Sequence, residues 1–228
     1  MAGEVSPHLS PLVCNSAEKR EGENTVSTIE RESESAVRLN YVEIEGVTLL
    51  DLLEGVSTHA SKDKSLRTLN AVQLEGAGGD LIARATDRYR LIEGAVRYRE
   101  GDLEVSLISL DDIKKVLTLL KAHKAHLINI TRIGDALTVS ALGDAVTFSL
   151  VDGNYPPMQD LLAKSEGEPV AVTSMAFNPA FMADYAKIAG KGAPVKIYFT
   201  GDSKPMRVRI TGDKITWRAL LMPMRYVD

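Results

Sequence analysis

His123 and His126 stand three residues apart, a spacing at which two imidazoles can share a metal ion. No third ligand accompanies them, and both fall at the end of a helical stretch, where histidine favours the helix dipole. Cys14 is the one cysteine, so the chain has neither a disulfide framework nor a cysteine metal site. No phosphate-cradling glycine loop and no nucleophile signature occurs. These residues support no catalysis: the chain reads as a non-enzyme that needs no metal and no cofactor. Recognition is the chemistry that remains, and it has a cationic and an apolar half. Lys62, Lys64 and Arg67 cluster in one loop, Lys114, Lys115 and Lys121 stand on the polar side of a helix, and Lys187 and Lys191 close another. Such side chains hold phosphates without reading sequence. Asp51, Glu54, Asp111, Asp112 and Asp184 on the same helices dilute that charge, so the plain alternative is a solvated lysine face. The apolar half is the run Leu220-Leu221-Met222-Pro223-Met224-Arg225-Tyr226. Chain ends fray unless something ties them down, so leucines, methionines and a tyrosine here imply a docked segment. Proline is confined to sheet edges and strand ends, so Pro223 marks where the last strand leaves its sheet and frees its adaptable methionine neighbours. A final core strand is the alternative.

At 228 residues, 44% hydrophobic and 25% charged, the chain can bury the core of one or two domains. A net charge of -4 argues against a protein held on nucleic acid by bulk charge, although a basic face can hide inside an acidic whole. The start lacks the apolar stretch of a secretory signal, and no run approaches the ~18 apolar residues of a membrane span. The expectation is a cytoplasmic protein without membrane contact.

Residues 1–38, rich in Ser, Glu, Asn and Pro, read as a disordered tail. The rest repeats one pattern three times. In residues 41–99, Tyr41-Val42-Glu43-Ile44-Glu45 alternates as a strand and Thr48 caps a helix whose Leu49, Leu52, Leu53 and Val56 share a face. Strands follow at 70–74, 81–85 and 91–98. In residues 102–154, Leu103, Val105 and Leu107 alternate, Ser109 caps a helix with Asp112 in the capping-box position, and Ile113, Val116, Leu117 and Leu120 form its stripe. Three strands with Gly134-Asp135 and Gly143-Asp144 turns complete that unit. In residues 168–226, Val170 and Val172 begin a strand, Asn178 and Pro179 start a helix that Gly190 closes, and three alternating strands end the chain. Helices of this kind must lie on one face of their sheets to bury their stripes, which makes the fold α+β.

Three strings carry a resemblance. Ala85-Thr86-Asp87-Arg88-Tyr89-Arg90-Leu91, Val151-Asp152-Gly153-Asn154-Tyr155-Pro156 and Leu221-Met222-Pro223-Met224-Arg225 are similar, in order and spacing, to the β sliding clamp of bacterial DNA polymerase III. The likeness extends over about residues 41–226 and takes in Leu69-Asn70-Ala71-Val72-Gln73-Leu74. The fold it implies is the DNA-clamp fold, repeated β-α-β-β-β units with helices on one face of antiparallel sheets. The chain is identified as a shortened member, of the kind a phage would encode. Residues 39–157 resemble the middle clamp domain, 158–167 a linker, and 168–228 the second half of the last domain. A family subunit has three domains of two units each, and two subunits close a ring around duplex DNA. Twelve units would need four of these chains, so the resemblance implies a homo-oligomer, with a tetrameric ring ahead of a dimer.

The resemblance also implies a hydrophobic pocket for short peptide motifs of a DNA polymerase and other replication proteins. Its walls match Leu69, Thr86, Arg88, Tyr89, Arg90 and Leu91 on one side, Pro156 and Leu161 in the linker, and Leu220, Leu221, Met222, Pro223, Met224, Arg225 and Tyr226 on the other. Arg88 and Tyr89 replace the Gly and His of many members, which re-aims the pocket, and Asp160 stands where a linker arginine is common. Double-stranded DNA is the other implied partner, met by Lys62, Lys64, Arg67, Lys114, Lys115, Lys121, Lys187 and Lys191, with a clamp loader as a further one. The expected function is a processivity factor that encircles DNA as an oligomer and tethers replication proteins through the pocket. The alternative is an interaction module that keeps only the pocket and encloses no DNA.

Overall fold

The computed structural model describes residues 40–190 and 192–225. The expected tail, Lys191 and Tyr226 lie outside them. Among the described residues, eleven strands form one antiparallel sheet. In chain order they are β1 (Tyr41–Glu45), β2 (Ala71–Ala77), β3 (Asp80–Thr86), β4 (Arg90–Arg97), β5 (Glu100–Ser109), β6 (Leu127–Ile133), β7 (Ala136–Ala141), β8 (Asp144–Ser149), β9 (Val195–Tyr198), β10 (Met206–Thr211) and β11 (Ile215–Leu221). The helices are α1 (Gly46–Ser57), α2 (Leu110–His123), α3 (Met158–Lys164) and α4 (Pro179–Ala189). Across the sheet the order is β8-β7-β6-β1-β5-β2-β3-β4-β11-β10-β9. The long β5 makes it continuous, pairing with β1 at its start and with β2 along the remainder. No helix is long and apolar enough to cross a membrane among the described residues.

Alternation along the strands decides which layer each side chain enters. In β11, Ile215, Trp217, Ala219 and Leu221 join the main core, which also holds the buried stripes of α1 and α2 and Tyr185 of α4. Leu220 points the other way, into a small cluster with Leu91 of β4 and Met158 and Leu162 of α3. So α1, α2 and α4 cover one face of the sheet and α3 covers the other. Next to that small cluster a polar row crosses the strands: Gln73, Arg84, Glu93 and Arg218 are successive register partners on β2, β3, β4 and β11. Arg84 Nε donates to Glu93 Oε2 at 2.8 Å, and Arg218 Nε donates to Glu93 Oε1 at 2.9 Å. Arg84 and Glu93 are both buried, and such pairs are costly to break singly because the survivor is left uncompensated. This row stitches β4 to β11.

Local signals hold where they are self-contained. Ser109 accepts from the Asp112 N–H at 3.1 Å, and Asn178 accepts from the Ala180 N–H at 3.0 Å with Pro179 opening α4. Three expectations change. Thr48 does not cap α1, which begins at Gly46; its hydroxyl donates to Glu45 Oε2 at 3.2 Å. Val170 and Val172 form no strand, since Pro169 has no N–H to donate and Val170 makes a single backbone bond, to Phe199 O. The expected linker 158–167 carries α3, because Met158 and Leu162 share a face and bury it against Leu91 and Leu220.

Candidate functional site

An apolar groove of about 560 Å³ runs over the strand ends on the α3 side. Leu69, Thr86, Arg88, Tyr89, Arg90, Leu91, Pro156, Leu161, Leu220 and Met222 line it, drawn from segments far apart in sequence. The sheet order explains their meeting. Thr86 ends β3 beside Leu91, the second residue of β4, which faces Leu220 on its other side, and Met222 leaves β11 with its N–H donating to Tyr89 O at 2.9 Å. Beyond β11 the groove continues over Pro205 before β10 and Thr200 after β9. Four strand spacings of ~4.8 Å make about 19 Å, the length of roughly six extended residues. Tyr89 is 60% exposed, Leu161 43% and Met222 43%, so apolar area stands ready for a ligand.

The turn that presents Tyr89 is locked from within. Thr86 Oγ1 donates to Arg90 O at 2.7 Å and accepts from the Arg88 N–H at 3.2 Å, while Asp87 Oδ1 accepts from the N–H groups of Tyr89 and Arg90. Arg88 takes φ +80°, the left-handed region that costs a residue with a Cβ. Arg90 touches the groove, but its guanidinium is engaged elsewhere. It donates to Asp87, to Asp184 of α4 at 2.7 Å and to Thr58 O at 2.7 Å, and stacks 4.2 Å from the Phe181 ring centroid. Burial raises the Asp184 carboxyl, but hydrogen bonds from Arg90 and Lys187 outweigh it and hold the group below the ordinary carboxylate value. His59 packs beside this network, its ring 5.4 Å from that of Tyr185. Burial, then the Arg90 charge, push the imidazole down to about 3.

Not every expected wall belongs to the groove. Leu221 is fully buried in the main core, because neighbouring strand residues face opposite sides. Pro223, Met224 and Arg225 lie past it, with the Met224 N–H donating to Ala176 O at 2.8 Å. Lys164, Ser165, Gly167, Thr200, Lys204 and Pro205 line it without having been foreseen. No local signal names them, since they meet the groove only through the β11-β10-β9 order and the packing of α3.

Apart from Lys191, the expected phosphate-binding cations lie in the loop after α1 and on α2 and α4, most of them paired. Lys64 and Lys114 both reach Asp111, Lys115 reaches Asp112, Lys121 reaches Glu54 and Lys187 reaches Asp184, at 2.7 to 3.0 Å. Hydrogen bonds from Lys114 and then Lys64 pull the Asp111 carboxyl down to about 2. Lys62, Lys64 and Lys114 line a hollow of about 400 Å³ between the loop after α1 and α2. Arg67 is exposed in that loop. His123 Nε2 lies 2.7 Å from Asp144 Oδ2, and no group of three or more metal-capable side chains gathers among the described residues.

The continuous antiparallel sheet with its main helices on one face has the DNA-clamp fold. The DNA polymerase III β subunit of Thermotoga maritima superposes with a TM-score of 0.69 at 18% identity, covering 82% of this chain and 66% of that one. The DNA polymerase sliding clamps of Pseudomonas aeruginosa and Bacillus subtilis both give 0.68 at 17% identity, covering 83% and 84% of this chain and 67% and 66% of theirs. In sequence the chain is 28% identical over 160 residues to the β sliding clamp of Micrococcus luteus, 69% of this chain and 51% of that protein. It therefore spans about half the length of that curated relative. No protein-family model matches. The chain is thus similar in fold and in sequence to the bacterial β sliding clamps.

Proposed function

We propose that the chain acts as a DNA sliding clamp, a binding protein without catalysis of its own. Copies associate into a ring around duplex DNA, and the groove tethers a DNA polymerase and other replication proteins through short peptide motifs, with a clamp loader as a further partner. In this reading residues 39–157 serve as a two-unit clamp domain and 168–228 as a half domain. The carrying observation is the groove at the β4 and β11 junction, where the Thr86 turn, α3 and Met222 converge on exposed apolar area in a clamp fold. Apolar area contributes about 25 cal/mol per Å² buried, and a few anchors in such a groove carry most of a peptide's affinity. Retention on nicked circular DNA that is lost when the DNA is linearised tests the ring. Solution mass by light scattering tests the assembly, and a monomer at micromolar concentration would exclude encirclement.

A second reading, an interaction module that binds clamp-binding peptides without enclosing DNA, is favoured by one observation. Carboxylates already neutralise Lys64, Lys114, Lys115, Lys121 and Lys187. Peptide binding by a protein that circular and linear DNA release alike would select it.

A further inference from the structure

The groove has a charge as well as a shape. Arg88 stands at one end, and at the other are Lys164, on the last turn of α3, and Lys204, in the turn between β9 and β10. All three are exposed, and none has an ion-pair partner among the described residues. No aspartate or glutamate lines the groove among those residues. Asp160 stands one turn before Lys164 on α3 but makes no ion pair with it, Glu166 just past α3 is held by Arg207 and Arg209 at 2.7 Å, and Arg90 is occupied by Asp87 and Asp184. An apolar channel about six residues long thus ends in two ammonium groups that make no ion pair among the described residues, and whose stems extend its apolar rim while their heads stay in water.

We infer that the groove's occupant is an extended peptide with apolar anchors and an acidic flank, the acidic end lying against Lys164 and Lys204. The inference rests on the peptide-groove reading and adds the class of peptide. Charge complementarity at a rim acts mostly on encounter and on the choice between partners, and it weakens with salt.

The test uses fluorescein-labelled peptides that share one Gln-Leu-rich apolar core and carry a Glu-Glu, Gln-Gln or Lys-Lys pair at either end. Anisotropy gives the affinities at low and high salt. At low salt one Glu-Glu placement binds about fivefold tighter than its Gln-Gln counterpart, since exposed ion pairs each contribute a few-fold at most. High salt shrinks that advantage. Lys164→Glu with Lys204→Glu reverses the order of the flanks, read as the ratio of Glu-Glu to Lys-Lys affinity so that any loss common to all peptides cancels. Equal affinities for all flanks, or an acidic preference abolished by Arg88→Gln and not by the lysine pair, overturn the inference while the groove reading stands. No binding of any peptide overturns both.

Discussion

At the scale of single residues, His59 ties stability to pH. Its folded value of about 3 lies far below the ordinary 6.5, so between those values the unfolded chain binds a proton that the folded chain refuses. The stabilisation is complete above about 6.5 and declines as pH falls, by up to ~1.4 kcal/mol per pH unit. Urea unfolding at pH 7.5 and 5.0 should differ by about 2 kcal/mol, and His59→Gln should remove most of the difference. A wild-type stability flat down to pH 5 would contradict the buried neutral imidazole. Arg88 makes a second case. Relief of its left-handed backbone in Arg88→Gly is offset by glycine's entropy, so stability should hold within about 0.5 kcal/mol. Arg88→Val, β-branched at positive φ, should cost ~1–2 kcal/mol by the same assay. The string Thr86 to Leu91 stood out through its resemblance to the clamps, and its polar residues close a turn among themselves. That Arg90 turns to Asp184 was not legible, since the contact joins residues 94 apart in sequence.

Among the elements, the single tryptophan shows how the strand junction is packed. A Cβ on Gly94 would lie 2.5 Å from the Trp217 ring and 2.6 Å from Leu52, and one on Gly55 would also lie 2.5 Å from that ring. Gly94→Ala should therefore cost ~1–3 kcal/mol, read as a shifted denaturation midpoint in Trp217 fluorescence, and an unchanged midpoint would mean a looser site. The last strand separates fold from binding. Cutting after Leu221 keeps the core and removes Met222, so peptide affinity should fall about tenfold with the melting temperature nearly held. Cutting after Leu220 removes a fully buried leucine and should cost ~2–5 kcal/mol in addition. Calorimetric affinity beside melting temperature checks both, and a collapse after the first cut would make the terminus structural. Helices α2 and α4 were legible because cap and stripe lie within one stretch of sequence. Helix α3 was not, since seven residues show little periodicity and its reason for folding is a partner across the sheet.

For the whole molecule, charge and assembly are the measurable quantities. If the helix face meets duplex DNA, Lys114→Glu with Lys115→Glu should weaken retention on circular DNA and reduce its salt dependence, while groove peptides bind as before. Retention unchanged by that double substitution would place the DNA contact elsewhere or remove it. The strand order itself could not be read from one chain, because hydrophobic alternation fixes the face of each strand and leaves its neighbours open. β11 joins β4 across more than a hundred residues of sequence. The sheet is a single layer, with α1, α2 and α4 on one side and the groove on the other. Ligands held on opposite sides do not compete for space, and their binding free energies add except where Arg90, touching the groove and bonded to Asp184, joins the two sides. Any such coupling is reciprocal: the factor by which a groove ligand alters affinity on the helix face returns unchanged in the other direction. A partner captured in the groove is also presented to whatever the helix face holds at an effective concentration that its own tether sets, ~mM for a short flexible one. A weak groove then suffices for near-constant contact, and a weak groove can also let one partner go and accept the next.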